Sequence, residues 1–598
     1  VPSFFITGVT KALFVPLSLA VGFCMVWSFF MSSSLVPVMA VYLIKEKKHE
    51  DESKGFFARF KEAHAALVSM LMQFRALVIP AYLLVFVSLS VFLFFQIGRE
   101  LFPNADTNEF RVRMRCQTGT RVEVTEEKAK QMIEIIKGEA GPGNVEATLG
   151  YAGQQPVQFV ISSVFLWTSG PHEAVMDISL RKEAQIELEG FKDKLRSKFK
   201  AEMPDVSFSF EPGDLVSQIM NLGSPTPISV VVKGPDLIRC REYAERVKEE
   251  MAKIPYLRDL QFGQPLDYPT VNINIDRELA GQYSLTPAQI GNALVPATSS
   301  SRYILENFWM DRKTGVAYQV QVQVPQDQIQ SMEALKNFPT MISDNHEHPL
   351  LRDVASVSYG HCVGEYDRDN MMRMISLTAN IAGMDLGNVG KLVQDAIKRA
   401  GTPPRSVRVK LAGQAPVLSD TFSHLFLGLS LAVVVIFLML TAYFQSHKLA
   451  IVVLSTAPAI VCGVLVMLKL TGTTLNIESF MGAIMSIGIG VSNAILLVNY
   501  AEMSRLSGKT AMEAALHGAQ ERLRPILMTS IAMVSGMIPM ALALSEGGQQ
   551  SAPLGRAVIG GLTMSTITAL TVLPLFFAVV QKHSPTTSPS IHPDDRGE

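Results

Sequence analysis

Residues 476–500 read NIESFMGAIMSIGIGVSNAILLVNY, and this stretch decides what kind of protein the chain is. One ionisable side chain, Glu478, stands near its start. The rest is apolar or small and long enough to cross a hydrocarbon core of about 30 Å as a helix. Six more stretches share this character, at 13–44, 77–97, 422–443, 449–470, 524–545 and 556–580. The first is longer than one crossing needs, and Pro16 and Pro37 bracket its centre. Seven membrane spans are therefore expected. Between the second and the third lies a block without an apolar run of that length, so it must be a folded aqueous domain.

The distribution of Lys and Arg gives an orientation, because cytoplasmic loops carry the excess of basic residues. The 45–76 connection holds Lys45, Lys47, Lys48, Lys54, Arg59, Lys61 and Arg75, and the 501–524 connection holds Arg505, Lys509, Arg522 and Arg524. The opposite connections, TGTT at 471–474 and EGGQQSAPLG at 546–555, hold none. One topology fits: basic loops and C-terminus in the cytoplasm, the large domain and Val1 on the other side. Within the first basic loop, KGFFARFKEAHAALVSMLMQF reads as an amphipathic interfacial helix.

Composition agrees with a membrane protein. Of 598 residues 48% are hydrophobic and only 18% charged, and mean hydropathy is +0.24. Lys and Arg number 53 against 54 Asp and Glu, a balance that gives no reason to expect a nucleic-acid partner. Cys24, Cys116, Cys240, Cys362 and Cys462 are scattered without a CxxC, which excludes a disulfide framework and a zinc module. The chain starts at Val1 inside an apolar stretch, with neither initiator Met nor charged leader. The expectation is that it belongs to a longer protein.

The aqueous block reads as α+β. Phe110, Val112, Met114 and Cys116 alternate with Arg111, Arg113 and Arg115, as in a half-buried strand; Tyr318, Val320, Val322 and Val324 alternate with Gln in the same way. Helical spacing links Ala129, Met132, Ile133 and Ile136, then Cys240, Tyr243, Val247, Met251 and Ile254, then Val389, Leu392, Val393, Ala396 and Ile397. Strand-then-helix units begin near 109, 228 and 371, with a further helix near 185–201. This is a weak internal repeat of split βαβ type.

Six segments carry a family resemblance. GRELFPNADTNEF (98–110), LGSPTPISVVVKG (222–234), YPTVNINIDRELAGQYSLTPAQI (268–290), AYFQSHKLAIVVLSTAPAIVCG (442–463), GVSNAILLVNYAE (490–502) and RLRPILMTS (522–530) occur in the order and spacing of one family. The chain resembles the C-terminal half of resistance-nodulation-division (RND) efflux permeases of AcrB type, from the end of span five to span twelve. The resemblance implies a seven-span helical bundle plus a large periplasmic α+β domain of split βαβ porter subdomains. The implied layout is 1–97, two membrane helices with cytoplasmic connection 45–76; 98–224, a first porter-type subdomain; 225–267 with 351–412, a second. A docking-type β-rich insertion would occupy 268–350, five membrane helices 413–584, and a disordered cytoplasmic tail 585–598. It implies a proton-driven inner-membrane exporter of amphipathic small molecules, trimeric, working with a periplasmic adaptor and an outer-membrane channel. Membrane lipid is the remaining partner, and proton motive force replaces any cofactor; the sequence has no phosphate loop for ATP.

The resemblance also nominates residues. Its proton-carrying carboxylates lie on span four, outside this chain, and no Asp falls in any of the seven stretches here. On span ten the family's Lys–Asn pair is matched by Ser492 and Asn493. A Ser cannot neutralise a carboxylate, so the relay there would run through hydroxyl and amide groups, unless Ser492 serves only close helix packing beside Gly488 and Gly490. On span eleven Arg522 and Thr529 match the family's cytoplasmic route, seven residues apart and so on one face. The plain alternatives are a positive-inside anchor for Arg522, as for Arg524, and a hydroxyl bonded to its own helix for Thr529. Glu478, near the periplasmic start of span ten, would line a proton entrance or, as the favoured reading, snorkel to the interface; Glu502, Lys469 and His424 stand at span ends and read as interface residues.

For cargo, the family's pocket-dividing loop falls at VQFVISSVFLWTSG (157–170), where Phe159, Phe165 and Trp167 would offer flat apolar surfaces; the alternation also suits a buried strand. His346, Glu347 and His348 read as an exposed loop tip rather than a metal site. Met372 and Met374 read as core packing rather than a Cu(I) site. Three other functions stay open: a heavy-metal RND pump, a lipid-transport or protein-export relative, and an inactive remnant.

Overall fold

The computed structural model describes residues 9–43, 56–103, 108–153, 168–184, 186–221, 223–301, 307–325, 328–341, 348–544, 547–582 and 584. Helix α1 (Val9–Ser33) bends by 44° into α2 (Leu35–Leu43); α3 (Phe56–Gln73) and α4 (Arg75–Gln96) follow. α4 leads directly into the aqueous part.

Strand β1 (Glu109–Arg115), α5 (Val122–Ala140), β2 (Val145–Ala152), β3 (Glu173–Leu180), α6 (Leu188–Glu202) and β4 (Ser207–Pro212) make one unit. Its antiparallel sheet runs β2-β3-β1-β4. The second unit begins with β5 (Ile228–Lys233), α7 (Leu237–Ala252) and β6 (Leu257–Phe262). An insertion then carries β7 (Tyr268–Ile275), the hairpin β8 (Asn307–Met310) and β9 (Ala317–Val320), and β10 (Ala355–Cys362). The unit closes with β11 (Arg368–Asp369), β12 (Met372–Ile381), α8 (Leu386–Arg399) and β13 (Arg408–Gly413). β6 pairs β12, β12 pairs β5 and β5 pairs β13. Taken by position within its unit, each sheet has the same order, second-third-first-fourth strand, so the two units are copies of one split βαβ plan.

Local sequence starts these helices cleanly. The Asp236 carboxylate accepts from the Ile238 and Arg239 amides at the head of α7, and Asp385 accepts from Asn388 N at the head of α8. The apolar faces then close the cores. Phe110, Val112 and Met114 meet Met132, Ile136 and Phe199 in the first unit; Val230, Val232 and Leu377 meet Tyr243, Val247 and Val393 in the second.

β1 departs from the half-buried expectation. Arg113, on the face opposite the core, is only 5% exposed and its guanidinium donates to Glu211 Oε1 at 2.8 Å. Arg115 donates to the Phe262 and Gly263 carbonyls of the second unit at 2.8 and 2.7 Å. The charged face is thus covered by the other unit, where β4 lies against β6 and β12. Two further alternations are corrected. Tyr318, Val320 and Val322 are exposed, because among the described residues the β8–β9 hairpin forms a two-stranded sheet of its own. Met372 and Met374 are half-buried on one face of β12, while Ile375, Leu377 and Ala379 on the other fill the core.

The chain returns to apolar helices with α9 (Gln414–Phe444), α10 (His447–Leu454), α11 (Ala457–Leu470), α12 (Ile477–Leu506), α13 (Ala511–Ala541), α14 (Gly548–Thr571) and α15 (Leu573–Val580). Among the described residues five helices are long and apolar enough to cross a membrane, with α10 and α11 counted together, and seven if each of the bent pairs α1–α2 and α14–α15 is one span. α11, α12 and α13 all pack on α14. Small residues set the distances: a Cβ at Gly463 would stand 2.5 Å from the Gly560 carbonyl, and one at Gly561 the same distance from Ser486 Oγ. Asn476–Ser479 and Thr510–Glu513 capping boxes start α12 and α13. Glu502 is corrected from an interface residue. It is fully buried and takes 2.7 and 2.9 Å hydrogen bonds from Arg505, whose Nη1 also reaches the Ser584 carbonyl.

Gly463→Ala forces the α11–α14 crossing apart and is expected to destabilise the bundle by about 1–3 kcal/mol. Gly488→Ala, where a Cβ meets nothing within 4 Å, is expected to be neutral or mildly stabilising. Thermal unfolding of both variants in detergent compares them directly.

Candidate functional site

The four proposed relay residues lie on two antiparallel helices, α12 and α13, which pack side by side. Ser492 faces outward and is exposed, so among the described residues it is not packed tightly as a small helix-contact residue would be. Asn493, next in sequence, is turned inward at 6% exposure, and its Nδ2 has no hydrogen-bond partner. Arg522 lies with its guanidinium carbon 5.2 Å from the centre of the Tyr500 ring; Tyr500 in turn stacks on His517 at 5.6 Å. Arg522 Nε is buried and unbonded. Thr529 is exposed, and its hydroxyl donates to the carbonyls of Pro525 at 3.2 Å and Ile526 at 3.0 Å. It thus makes the local bond that its alternative reading anticipated.

No direct hydrogen bond joins these four. The close approach of Gly518 to Ala501 sets the register of the two antiparallel helices. Arg522 therefore reaches back along α12 to Tyr500, while Thr529, seven residues further along α13, stands nearer the level of Gly490 than of Asn493. The structure brings Arg522 to Tyr500 but does not pair Asn493 with Thr529.

Sequence reasoning missed the polar seam beside these residues. Thr566 on α14 donates to Ser530 Oγ at 2.7 Å; Ser530 is 5% exposed. Ser565, fully buried beside Gly490, has an unbonded hydroxyl. A signal for Ser530 existed. Leu523, Ile526 and Ser530 fall at helical spacing, and all three are buried on one face of α13.

The second feature is a cleft of about 630 Å³ between the two α+β units, near the roots of α4 and α9. Among the described residues Glu100, Glu109, Glu187, Glu189, Asp193, Glu211, Asp214 and Asp385 line it with two cations, Lys192 and Arg196. Much of this charge is already engaged. Arg196 holds Asp259 and Asp193, Glu211 holds Arg113, and Asp385 accepts from Arg99 N at 3.0 Å. Glu109 and Glu187 remain exposed on the rim. Met220, Phe210 and Leu188 supply apolar wall. Burial pushes the Glu100 carboxyl up, against a 2.9 Å bond from the Thr474 hydroxyl. The aromatic candidates Phe159, Phe165 and Trp167 lie outside the described residues, as do His346 and Glu347.

A model of the AcrB/AcrD/AcrF family matches residues 1–581. The chain belongs to that family of RND permeases. Among its relatives, the nickel-cobalt-cadmium resistance protein NccA of Alcaligenes xylosoxydans xylosoxydans is 25% identical over 592 residues, covering 96% of this chain and 52% of NccA. The cobalt-zinc-cadmium resistance protein CzcA of Cupriavidus metallidurans is 24% identical, over 97% of this chain and 54% of CzcA. The multidrug resistance protein MdtC of Escherichia coli O81 is 24% identical, over 94% and 53%. A crystal structure of a heavy metal efflux pump shares the fold with a TM-score of 0.80 at 22% identity, over 97% of this chain and 57% of that one. The chain spans about half the length of the curated relatives it matches.

Away from the lining of the cleft, Glu365 and Asp367 lie half-buried side by side, where the charges of Glu173 and Arg113 from the first unit act on Glu365. Burial, with the Asp367 charge second, pushes Glu365 up to about 7, and burial also raises Asp367. One proton therefore sits on the pair at mildly acidic pH, carried by Glu365. A carboxyl whose folded pKa exceeds its unfolded value gives stability that is complete below the unfolded value and lost as pH rises through the folded one. Thermal stability should accordingly fall between pH 5 and pH 8 by more in the wild type than in Glu365→Gln, read by intrinsic fluorescence in detergent.

Proposed function

We propose that this chain forms the C-terminal half of a proton-driven RND exporter of amphipathic, positively charged small molecules. The observation that carries the proposal is the inter-unit cleft. Its volume of about 630 Å³ lies within the range of small-molecule sites, and its walls combine apolar patches with exposed carboxylates on the rim. A bare metal ion needs a few converging ligands and far less room. Acidic rims favour cations by simple electrostatics.

Energy would come from protons crossing the bilayer, about 2.3 kcal/mol each at 100 mV. Asn493, Thr529 and Arg522 supply an amide, a hydroxyl and a fixed cation on α12 and α13. In this reading Ser492, on the exposed side of α12, meets the carboxylates that the family carries on its fourth span. The Arg522 charge then responds to protonation there, helices shift, and α4 and α9 transmit the shift to the cleft they root. The basic loops and C-terminus face the cytoplasm and the α+β units the periplasm of an inner membrane.

Assembly is proposed with two further copies of the chain, a periplasmic adaptor and an outer-membrane channel. The β8–β9 hairpin supports the first of these: Phe308, Trp309, Met310 and Tyr318 are all more than half exposed, in a hairpin that no other strand among the described residues pairs.

Export of divalent metal ions is the second reading, favoured by the likeness to the metal-resistance proteins NccA and CzcA. A strain lacking the gene decides between them. Several-fold greater sensitivity to cationic amphiphiles with unchanged nickel, cobalt and zinc tolerance is expected; the reverse pattern establishes the metal reading. Thr529→Ala and Arg522→Ala are each expected to abolish dye efflux at normal expression. Full activity in both leaves only helix packing and membrane anchoring for these residues.

A further inference from the structure

α3 presents three distinct faces, and one of them is unused by the fold. At about 100° per residue, His64, Val68 and Met72 form a stripe that is buried against the bundle. α3 packs there on α13, α14 and α15, and His64 Nε2 lies 3.0 Å from the Leu570 carbonyl. A second face carries Arg59, Glu62, Ser69 and Gln73 and is polar. Between them runs a third stripe, Phe60, Leu67 and, just past the helix end, Phe74. These residues are seven apart, so they stay in line over about 20 Å. They are 42%, 43% and 59% exposed, and Met70 beside them is 51% exposed.

The stripe ends at a basic corner. Phe60 contacts Phe57 at 6.2 Å between ring centres, and the Arg524 guanidinium carbon lies 5.7 Å from the centre of the Phe57 ring. One turn before Arg524, Glu521 takes Lys61 Nζ at 2.9 Å. Arg524 itself has no carboxylate partner among the described residues. It sits directly before Pro525, where α13 turns from charged to apolar sequence. An exposed guanidinium with its face on an aromatic ring keeps its N–H edge free for a phosphate. The corner therefore matches an anionic headgroup, and the stripe leading from it matches an acyl chain.

We propose that the α3–α13 corner is a binding site for an anionic glycerophospholipid, with the phosphate at Arg524 and Lys61 and one acyl chain along Phe60, Leu67 and Phe74. The occupant is a lipid rather than a free anion because the apolar stripe is continuous with the cationic corner. Lipid held here would brace α3 against α13, the helix that carries Arg522 and Thr529.

The test is native mass spectrometry of the full chain in detergent, with phosphatidylglycerol and phosphatidylcholine as competing probes. The wild type should retain phosphatidylglycerol in preference. Arg524→Gln should lose about fivefold of that preference, the factor that one basic side chain contributes at an anionic surface. Arg524→Lys should keep most of it, which a purely structural role for the arginine would not allow. Glu521→Gln frees Lys61 and should strengthen the preference, so the proposal stays testable even if Arg524→Gln fails to fold. Leu67→Asp should reduce retention of both lipids. Equal retention of the two lipids by the wild type overturns the proposal, as does an unchanged preference in Arg524→Gln or in Glu521→Gln. Full displacement by inorganic phosphate would make the corner a free-anion site and would likewise overturn it.

Discussion

Gly463 and Gly560 bring two helix backbones into direct contact, and in hydrocarbon that contact must supply cohesion that burial supplies in water. α14 is built for it along its length. Ala557 meets Gly482, Gly561 meets Ser486, and Ser565 meets Gly490, so α11 and α12 approach α14 as closely as backbones allow. Polar groups in the seam, such as Thr566 and Ser530, can then bond across helices instead of facing lipid. The relay candidates depend on this arrangement. Asn493 is turned inward because the Gly and Ser positions one turn away fix which side of α12 meets α14.

The aqueous part rests on a different interaction. Two copies of one split βαβ plan meet through polar contacts: Arg196 of the first unit pairs with Asp259 of the second, and Arg115 donates to the Phe262 and Gly263 carbonyls. Arg113–Glu211 and Arg115–Glu173 tie the first unit's own charged face together, and all three pairs are largely withdrawn from water. Such pairs contribute little net stability, because desolvation offsets most of the attraction. They do constrain geometry, and among the described residues the apolar clusters of the two units stay separate on either side of the interface. A cleft of about 630 Å³ persists beside it. Interfaces of this kind reposition at lower cost than hydrophobic ones.

Much of the architecture was legible from patterning alone. Apolar runs of membrane length depend only on composition over about twenty residues, so their positions needed no tertiary information. Helical stripes such as Cys240, Tyr243, Val247 and Met251 are all fully buried, since one face of an amphipathic helix has a single apolar surface to meet. Alternation in strands was less informative. It assigned Arg113 to water and Tyr318 to a core, and both were reversed, because a strand's two faces are equivalent until their neighbours are known. Met372 and Met374 failed for the same reason.

The site shows the same division. Family resemblance selected Asn493, Arg522 and Thr529 by position, and composition located the helices that carry them. Sequence by itself determined the family, the apolar helices and the mixed α+β block between them, since these follow from local composition and ordered motifs. Only the tertiary structure decided that Arg522 lies on the Tyr500 ring, that Glu502 is buried with Arg505, and that carboxylates from distant segments line one cleft. Each of those is a contact between residues whose meeting depends on how helices and sheets dock, and docking is set by shape and burial that no single segment contains.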